Sequence, residues 1–389
     1  MRLLFLSDFT EQFAFRLLKG IHQYAQQSGE HWVVCKMPFS CRQEHGLKWV
    51  VNWARDWHAD VVIGQFDPRD NVKLFRKYGI VALAQDFISP FKEIPNITAN
   101  YDKMGRMAAT RFISRGFRDF AFFGNNGMCW SDGRREGFRR CLEEAGYEGH
   151  IFLYERHRIE NLWYYNAALL YDWLSSLPKP VAIMTCDDNQ GNILLEACHS
   201  LGFRVPSDVA VIGVDNDPTL CNLSDPALSS IDVDIEKGGF EAAAMAKRMV
   251  EDPSFQGEDI VLQPITIVSR ASSNIMATRD SAVHAALQFI SEQIDHKILV
   301  TDVLEHVPLS RRLLEQRFLK ETGITIYQYI TKLRIERFAQ LLLSSNDSIA
   351  NIAARMDEPD AKNLSRRFQA IKGCTPSEYR KRKLRKLGG

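Results

Sequence analysis

The sequence predicts two domains of different fold class: an α/β two-lobe domain over residues 1–275 and an all-α double helix-turn-helix domain over residues 276–389. Three observations carry this prediction. Short apolar runs alternate with helical stretches in the first part, and no strand pattern recurs in the second. The second part also repeats one helical segment after about 50 residues, which indicates two copies of a small unit.

The composition fits a sensor joined to a basic module. A chain of 389 residues has room for two or three domains, at roughly 100–200 residues per domain. Its net charge is +1, but residues 281–389 carry 19 Lys and Arg against 12 Asp and Glu, whereas the rest carries 30 against 36. A basic tail of this kind is typical of nucleic-acid binding. The alternative is a solvated basic end, residues 380–386, that binds nothing.

The cysteines and apolar runs exclude several classes of protein. Eight cysteines lie scattered without CxxC spacing, and no His/Cys cluster has zinc spacing, so we expect no metal and reduced thiols. The apolar run after Met1 is too short for a signal peptide, and no run approaches the roughly 18 apolar residues of a membrane span. The sequence therefore predicts a cytoplasmic protein without a membrane partner.

Strands and helices alternate along the first part. We predict strands at residues 3–6, 61–63, 80–84, 120–123, 181–185 and 209–214. We predict helices at residues 13–26, 71–78, 103–114, 134–145, 167–177 and 189–201. Strands separated by helices of about 10–15 residues favour parallel sheets with crossover helices. Because there are too many repeats for one compact sheet, we expect two α/β lobes.

Only helices are expected after residues 269–279, whose small and polar residues predict a linker. The predicted helices are 283–294, 301–306, 310–322, 326–343, 349–356, 361–371 and 376–383. Before the last of them, Thr375 can cap the helix while Glu378 reaches back, and Pro376 suits the first helical position.

Two of these helices belong to an internal repeat. Leu314-Glu-Gln-Arg-Phe318 is followed by Gly and Thr at the same spacing as Leu364-Ser-Arg-Arg-Phe368. A short apolar helix and a break precede each copy, which is the helix-turn-helix pattern. The Leu and Phe of each copy lie four residues apart and predict a buried stripe.

The opposite faces of the repeated helices carry side chains suited to reading DNA. Arginine can bind guanine bidentately, and Gln and Asn suit adenine. The predicted DNA-binding residues are Arg311, Arg312, Glu315 and Gln316 in the first unit, and Lys362, Asn363 and Arg366 in the second. The alternative interpretation is an ordinary helical bundle with solvated arginines, which the repeat makes less favoured.

Residues 283–382 resemble AraC-type DNA-binding domains along their whole length. The resemblance lies in residues 314–325, 329–342, 348–353, Phe368 and 373–380. It implies that the two reading helices enter successive major grooves of double-stranded operator DNA, joined by a rigid helix near 326–343. The family usually has Gly in each turn, where this chain has Pro308 and Asp357. Proline cannot take positive φ, whereas Asp adopts it at a cost.

The second unit departs further from the AraC-type pattern. It lacks the aromatic residues that are common before and within its reading helix, and has Glu358, Asn363 and Leu364 instead. Asp357, Glu358 and Asp360 are also expected close to the DNA phosphates. We therefore expect the second unit to bind DNA less well than the first.

The first part resembles the periplasmic sugar-binding fold in the form used by LacI-type regulators, over about residues 2–270. The matching segments are residues 13–20, 100–102, 134–138, 187–188, 205–215, 228–231 and 238–239. A sensor of this kind followed by an AraC-type tail is the arrangement of xylose-operon regulators. The resemblance implies a sugar effector, with xylose the first choice and a related sugar the alternative. It also implies a homodimer that activates transcription with RNA polymerase as a partner.

Candidate sugar ligands follow several predicted strands, at the sheet edge where open α/β sheets bind small molecules. The resemblance assigns Arg134, Asp187 and Asp215 as polar clamps and Trp163 as a stacking wall. Further candidates are Phe13, Arg16, Asp86 and Trp130. The four residues that the resemblance assigns have structural alternatives. Trp163 can lie in the core, Asp187 and Asp215 can cap helices, and Arg134 can form a surface ion pair with Glu136 or Glu143. Val233 stands where sugar-binding relatives often carry an amide. One interpretation is that Asp232 or Asp234 takes over its role, and the alternative is that the sugar differs from xylose.

No catalytic motif or cofactor fingerprint occurs in the sequence, so we expect neither an enzyme nor a cofactor. A sugar-modifying enzyme, a transport solute-binding protein and a cytoplasmic sugar-binding protein without a DNA-dependent role are the rival classes. We expect the lobes to close on the ligand about a hinge near residues 100–102 and 230–234. Closure would then reorient the paired DNA-binding domains.

Overall fold

The computed structural model describes residues 1–9, 12–154, 167–275, 278, 280–345, 347–358 and 360–381, for 340, 343 and 344 the backbone alone. The strands are β1 (Arg2–Ser7), β2 (Val33–Pro38), β3 (Val61–Gln65), β4 (Val81–Gln85), β5 (Asn96–Ala99), β6 (Asp119–Phe123), β7 (Ile151–Leu153), β8 (Val181–Thr185), β9 (Val209–Val214), β10 (Ser229–Val233), β11 (Ile260–Leu262) and β12 (Pro264–Val268).

The helices alternate with these strands and then continue alone. They are α1 (Gln12–Gln27), α2 (Phe39–His45), α3 (Leu47–Asp56), α4 (Lys73–Lys77), α5 (Tyr101–Ser114), α6 (Cys129–Glu144), α7 (Ala167–Ser176), α8 (Asp188–Ser200), α9 (Pro218–Leu223), α10 (Ile235–Glu251), α11 (Ser281–Glu292), α12 (Val300–His306), α13 (Arg311–Thr322), α14 (Ile326–Ser344), α15 (Ile349–Arg355) and α16 (Ala361–Lys372). Within the described ranges, no helix combines the length and apolarity that crossing a bilayer requires.

The strands form two six-stranded sheets, one in each of two lobes. The first lobe has the order β11-β5-β4-β3-β1-β2 and is parallel throughout. The second lobe has the order β12-β10-β9-β8-β6-β7, in which only β12 pairs antiparallel. This architecture confirms the predicted two-lobe α/β fold. The central strands β3, β6, β8 and β9 are buried along their whole length because helices cover both faces.

The chain crosses between the lobes three times. The crossings follow β5 at Asn100, follow β10 at Asp234, and separate β11 from β12 at Gln263. Hydrogen bonds join all three: the Asn100 side-chain amide donates to Gln263 Oε1 at 3.5 Å, and the Gln263 backbone N–H donates to Asp234 Oδ1 at 2.5 Å. Two crossings coincide with the segments predicted as a hinge, and the third was not predicted.

The chain folds as two compact units, residues 1–114 with 118–273 and residues 115–117 with 274–389. The second unit is helical, as predicted. In its second half, Phe338, Phe368, Leu364 and Met356 belong to one buried cluster. In its first half, Phe318 packs edge-on against Tyr329 at 5.6 Å between ring centroids.

The repeat in the sequence is a repeat in the structure. Helices α13 and α16 both end in a left-handed glycine, Gly323 at φ 74° and Gly373 at φ 71°. Thr375 then accepts from the Glu378 N–H at 3.3 Å, while the Glu378 carboxylate accepts from the Thr375 N–H at 3.0 Å, which is the predicted capping box. A last helical stretch covers residues 376–381.

The two turns differ as the sequence predicts. Asp357 takes the left-handed conformation at φ 49°. In the first turn, Val307 is extended at φ −110° and precedes Pro308. Neither residue is left-handed, since proline cannot take positive φ.

Candidate ligand cleft and DNA-reading helices

A cleft lies within the first unit, at the carboxyl ends of strands from both sheets. It holds about 520 Å³ of space between atoms, counted out to open solvent. The lining residues are Phe13, Gln65, Gln85, Asp86, Ile97, Ala99, Tyr101, Trp130, Arg134, Asp187, Asp215 and Val233. Six of the eight sequence-predicted ligand residues therefore lie together: Phe13, Asp86, Trp130, Arg134, Asp187 and Asp215.

Arg134 occupies the centre of the polar lining. It lies on α6, which packs closely on α5. Gly137 permits this contact, since a Cβ there would come within 2.3 Å of the Asp102 carbonyl oxygen. Arg134 is 4% exposed, its Nη2 lies 3.2 Å from Asp215 Oδ1, and its Nη1 donates to the Cys186 carbonyl. Burial alone would lower the pKa of Arg134, but Asp215 and further groups raise it, so the guanidinium stays charged.

The alternative of a surface ion pair does not hold for Arg134. Glu136 and Glu143 instead pair with Arg139, on the outer face of the same helix. The guanidinium carbon of Arg134 lies 5.5 Å from the ring centres of both Tyr101 and Trp130. Cation–π contact with two rings holds the side chain flat against the cleft wall.

Asp187 and Asp215 differ in their roles. Asp187 caps α8, because its Oδ1 accepts from the Gln190 N–H at 2.7 Å, so the cap interpretation holds for this residue. Burial raises the pKa of Asp187. Asp215 caps no helix, since Asp217 caps α9. Asp215 instead adopts φ 95°, a conformation that costs a non-glycine residue free energy and that is often found at binding sites.

Several buried polar atoms of the cleft lack a partner. Among the described residues, the buried side-chain atoms without a hydrogen bond include Gln65 Oε1, Asp86 Oδ1 and Arg134 Nε. The other oxygen of Asp86 accepts from the Tyr101 hydroxyl at 2.9 Å, and burial raises the pKa of Asp86. Buried polar atoms are normally hydrogen-bonded, so orphaned atoms that line a cleft indicate where a polar ligand would bind.

The charge and shape of the lining limit which ligands suit it. Three carboxylates, of Asp86, Asp187 and Asp215, face one guanidinium, that of Arg134. Such a set offers acceptors to hydroxyl groups and disfavours an anionic ligand. Apolar walls complete the cleft, from Phe13, Ile97, Ala99, Trp130 and Val233.

Sequence reasoning missed Gln65, Gln85 and Tyr101. The two glutamines end β3 and β4, so the same strand-end rule that selected Asp86 would have selected them. Gln85 Oε1 accepts from the Ser7 hydroxyl at 2.8 Å, which fixes its amide at the cleft.

The remaining predicted residues of the cleft are Trp163, Arg16 and Val233. Trp163 lies outside the described residues. Arg16 lies outside the cleft lining and bonds to other protein groups. Val233 lines the cleft, but neither acid expected to replace its missing amide does: Asp232 pairs with Arg16 at 3.3 Å, and Asp234 Oδ1 accepts from the Gln263 N–H.

The predicted DNA-reading residues lie on the open faces of α13 and α16. Arg311, Arg312 and Gln316 are exposed and Glu315 is half-buried, and Glu315 pairs with Arg311 at 3.0 Å. Lys362, Asn363 and Arg366 are exposed on α16. The predicted inner stripes, Leu314 with Phe318 and Leu364 with Phe368, are buried.

The three acids of the second unit all have partners. Asp357 lies 2.8 Å from the His296 ring nitrogen, and Asp360 caps α16 by accepting from the Asn363 N–H at 2.9 Å. Glu358 lies 3.0 Å from Arg367 and 3.6 Å from Arg334. Only Glu358 pairs with permanently charged groups, so these contacts reduce the repulsion of phosphate by that acid.

Comparison with known proteins supports both predicted domains. Residues 109–273 match the family model of a periplasmic binding protein-like domain, and residues 303–382 match that of a helix-turn-helix domain. The chain is 28% identical to the xylose operon regulatory protein of Escherichia coli strain K12, over 94% of this chain and 93% of that protein. It is 29% identical to the protein of the same name from Haemophilus influenzae, over 94% of each.

A solved structure matches over nearly the whole chain. It is that of a xylose-binding transcription activator, with 25% identity and a TM-score of 0.72, covering 98% of this chain and 97% of that one. The matches confirm both resemblances found in the sequence. Because the matching proteins are regulators of transcription, they also confirm the prediction that the chain is not an enzyme.

Proposed function

We propose that this chain, a transcription regulator homologous to the xylose operon regulatory proteins over 94% of its length, binds a pentose in the cleft of its first unit, D-xylose before others. The single observation that carries the proposal is the set of buried, unpartnered polar atoms in the cleft, Gln65 Oε1, Asp86 Oδ1 and Arg134 Nε. The names of the relatives supply the choice of xylose. Val233 at the cleft, with neither Asp232 nor Asp234 lining it, favours a related neutral sugar as the alternative.

The chemistry of a neutral sugar suits this set. Hydroxyl groups of the sugar can donate to Asp86 and Gln65, and a ring or hydroxyl oxygen can accept from Arg134 Nε. The C–H faces of the ring would pack on Trp130 and Phe13. A sugar acid or phosphate would add negative charge beside three carboxylates, so we expect neutral sugars to bind and anionic ones to be rejected. Trp163 remains proposed as a further stacking wall.

On the DNA side, we propose that a homodimer binds double-stranded operator DNA through α13 and α16, entering successive major grooves. Exposed Arg312, Gln316, Asn363 and Arg366 would contact base edges, while Arg311, Glu315 and Lys362 position the helices. We place the domain boundary at residues 275 and 276. The protein would act in the cytoplasm as an activator, with RNA polymerase as its partner.

Ligand binding and DNA binding are proposed to be coupled by closure of the two lobes. A ligand shifts such an equilibrium only by its preference for the closed state, typically about 1–3 kcal/mol of coupling. The three crossings at Asn100, Asp234 and Gln263 support a hinge at this place.

The effector is tested by thermal shift of the full chain across D-xylose, L-arabinose, D-ribose, D-glucose and D-xylonate. A ligand at 100 times its Kd stabilises the folded state by about 2.7 kcal/mol, which raises Tm measurably. We expect D-xylose to raise Tm and D-xylonate to leave it unchanged. If no neutral sugar raises Tm, the sugar-sensing proposal is wrong.

Arg134→Met tests the site, and Arg139→Met on the same helix is the matched control. Arg139 pairs with Glu136 and Glu143 on the surface, away from the cleft lining. We expect the first variant to lose the response to D-xylose and the second to keep it. Footprinting of the promoter beside its gene, with and without D-xylose, tests the regulator separately. Sugar binding without any footprint would instead favour a sugar-binding protein with no DNA-dependent role.

A further inference from the structure

Arg16 donates five hydrogen bonds to four residues of the protein. Its Nε and Nη2 donate to the two carboxylate oxygens of Glu236 at 2.9 and 2.8 Å. Its Nη1 donates to the backbone carbonyl of Asp215 at 2.6 Å, and its Nη2 also donates to the Val233 carbonyl at 2.9 Å. Asp232 Oδ1 lies 3.3 Å from the same Nη2.

These partners belong to different lobes. Arg16 on α1 and Glu236 on α10 both belong to the first lobe, where the two helices touch backbone to backbone: a Cβ at Gly20 would come within 1.9 Å of the Glu236 carbonyl oxygen. The bidentate pair therefore holds the guanidinium in place within the first lobe. Asp232 lies on β10 and Asp215 follows β9, both in the second lobe. Arg16 thus bonds from one lobe to the other, next to the cleft residue Asp215.

The bond to Asp215 leads directly into the cleft. Asp215 and Asn216 have φ values of 95° and 51°, so this loop is held in a conformation that costs free energy. Arg16 grips the carbonyl of Asp215, while the carboxylate of the same residue lies 3.2 Å from Arg134 Nη2. Because Arg16 holds the backbone of Asp215 in place, it also restricts where the Asp215 carboxylate can lie.

Arg16 and Glu236 keep each other charged although both are partly buried. Burial opposes the charge on Glu236, but the hydrogen bond from Arg16 and its charge bring the pKa of Glu236 below its usual value. Burial likewise opposes the charge on Arg16, but Glu236, Asp232 and Asp215 raise its pKa.

We infer that Arg16 is an interlobe latch: it touches no ligand, holds the two lobes closed over the cleft, and positions Asp215 for Arg134 and the sugar. This role replaces the direct sugar contact expected from the sequence. The inference rests on the proposed ligand cleft, although its effect on lobe closure does not require any ligand.

The test compares Arg16→Met with Arg42→Met in the full-length chain. Arg42 makes a bidentate pair with Asp70 at 2.8 and 2.6 Å, both inside the first lobe, and its side chain is 14% exposed against 16% for Arg16. Each variant loses a half-buried guanidinium: Arg16→Met leaves the carboxylates of Glu236 and Asp232 without that partner, and Arg42→Met leaves that of Asp70. Of these two arginines, Arg16 alone bonds to both lobes.

Hydrogen–deuterium exchange of segments 84–87 and 185–188, at the strand ends that face the cleft, reports closure without ligand. We expect faster exchange in Arg16→Met than in the unmodified chain, unchanged exchange in Arg42→Met, and recovery in Arg16→Met on saturation with D-xylose. The Kd for D-xylose should rise at least about tenfold in Arg16→Met, which is within the usual range of conformational coupling. Arg16→Lys keeps a positive charge but loses the planar guanidinium that binds two oxygens at once. Its Kd and exchange rate should lie between those of Arg16→Met and the unmodified chain.

Three results would overturn the latch. Weaker binding in Arg16→Met with unchanged exchange in the free protein would mean direct ligand contact. Equal changes in both variants would mean a merely structural role. Unchanged Kd and unchanged exchange would mean that Arg16 does nothing to closure. If no sugar binds even the unmodified chain, the proposed effector fails, while exchange of the free proteins still decides the latch.

Discussion

The carboxylate of Glu358 lies 3.0 Å from the guanidinium of Arg367 inside the second helix-turn-helix unit. A second guanidinium, of Arg334, lies 3.6 Å from the same carboxylate oxygen, and the side chains of Glu358 and Arg334 are only 11% and 6% exposed. Arg334 also donates to the Met356 carbonyl at 2.6 Å. One buried acid therefore compensates two arginines that come from α14 and α16.

Removing that acid should destabilise the helical unit. In Glu358→Gln the buried guanidinium of Arg334 and the half-buried one of Arg367 lose their counter-charge. Breaking a buried pair costs about 3 kcal/mol or more. Urea unfolding followed by circular dichroism measures the change. The matched control is Glu336→Gln, whose more exposed pair with Lys372 at 2.8 Å should cost less than about 1 kcal/mol. Equal losses in both variants would contradict this account of Glu358.

The turn residue Asp357 should respond differently to Gly and to Ala. Its φ of 49° costs a residue with a Cβ about 1–2 kcal/mol, and glycine avoids this cost. Both substitutions remove the contact with His296 at 2.8 Å. We therefore expect Asp357→Gly to be more stable than Asp357→Ala by about 1 kcal/mol, measured by urea unfolding. Equal stability would show that the left-handed backbone carries no strain here.

Asp188 should make the first unit less stable as pH rises. Burial holds the pKa of Asp188 well above its usual value of 3.8, so the folded state binds this proton more tightly than the unfolded state. Its contribution to stability is then greatest below the unfolded pKa and falls as pH rises through the folded pKa. We expect Asp188→Asn to raise Tm at pH 7 and to flatten the dependence of Tm on pH above 4. Asp56→Asn, at a side chain 68% exposed, is the control and should change neither.

The two reading helices should contribute comparably to operator binding. Arg312 and Arg366 are both exposed on their helices, and the acids near Arg366 have partners within the protein. Alanine at a base-contacting arginine typically costs about 1–3 kcal/mol. We expect Arg312→Ala and Arg366→Ala each to weaken operator binding by this amount in a gel shift, and Arg204→Ala in the first unit to leave it unchanged. A loss confined to Arg312→Ala would restore the sequence-based view that the second unit binds weakly.

The sequence predicted the strands that read as continuous apolar runs and missed the others, for a physical reason. A strand such as β8, buried on both faces, reads as a continuous apolar run. The edge strand β2 is largely exposed, and its Lys36 and Pro38 break any run. The inner strands β5 and β10 mix polar with apolar residues, as Asn-Ile-Thr-Ala and Ser-Ser-Ile-Asp-Val, and were missed as well. The edge strands β7 and β11 have only three residues each, and β12 begins with a proline.

The site was predictable where it depends on chain order and not where it depends on distant partners. Asp86, Asp187 and Asp215 follow strands, so the strand-end rule places them together. Arg16 follows no strand, and its partner Glu236 lies 220 residues away along the chain. No local pattern distinguishes an arginine that binds a sugar from one that bonds across two lobes.

The pairing of β11 with β5 also constrains how this protein can be made. Ile260 pairs with Ile97, so the first sheet is completed only after β6 to β10 of the second sheet have left the ribosome. Until then the edge of β5 lacks its partner, and an unpaired edge strand is an aggregation risk during synthesis. Neither lobe is an uninterrupted segment of the chain. We therefore expect that a gene cut between the lobes yields two insoluble fragments, and that the sensor can be borrowed for other regulators only as one piece.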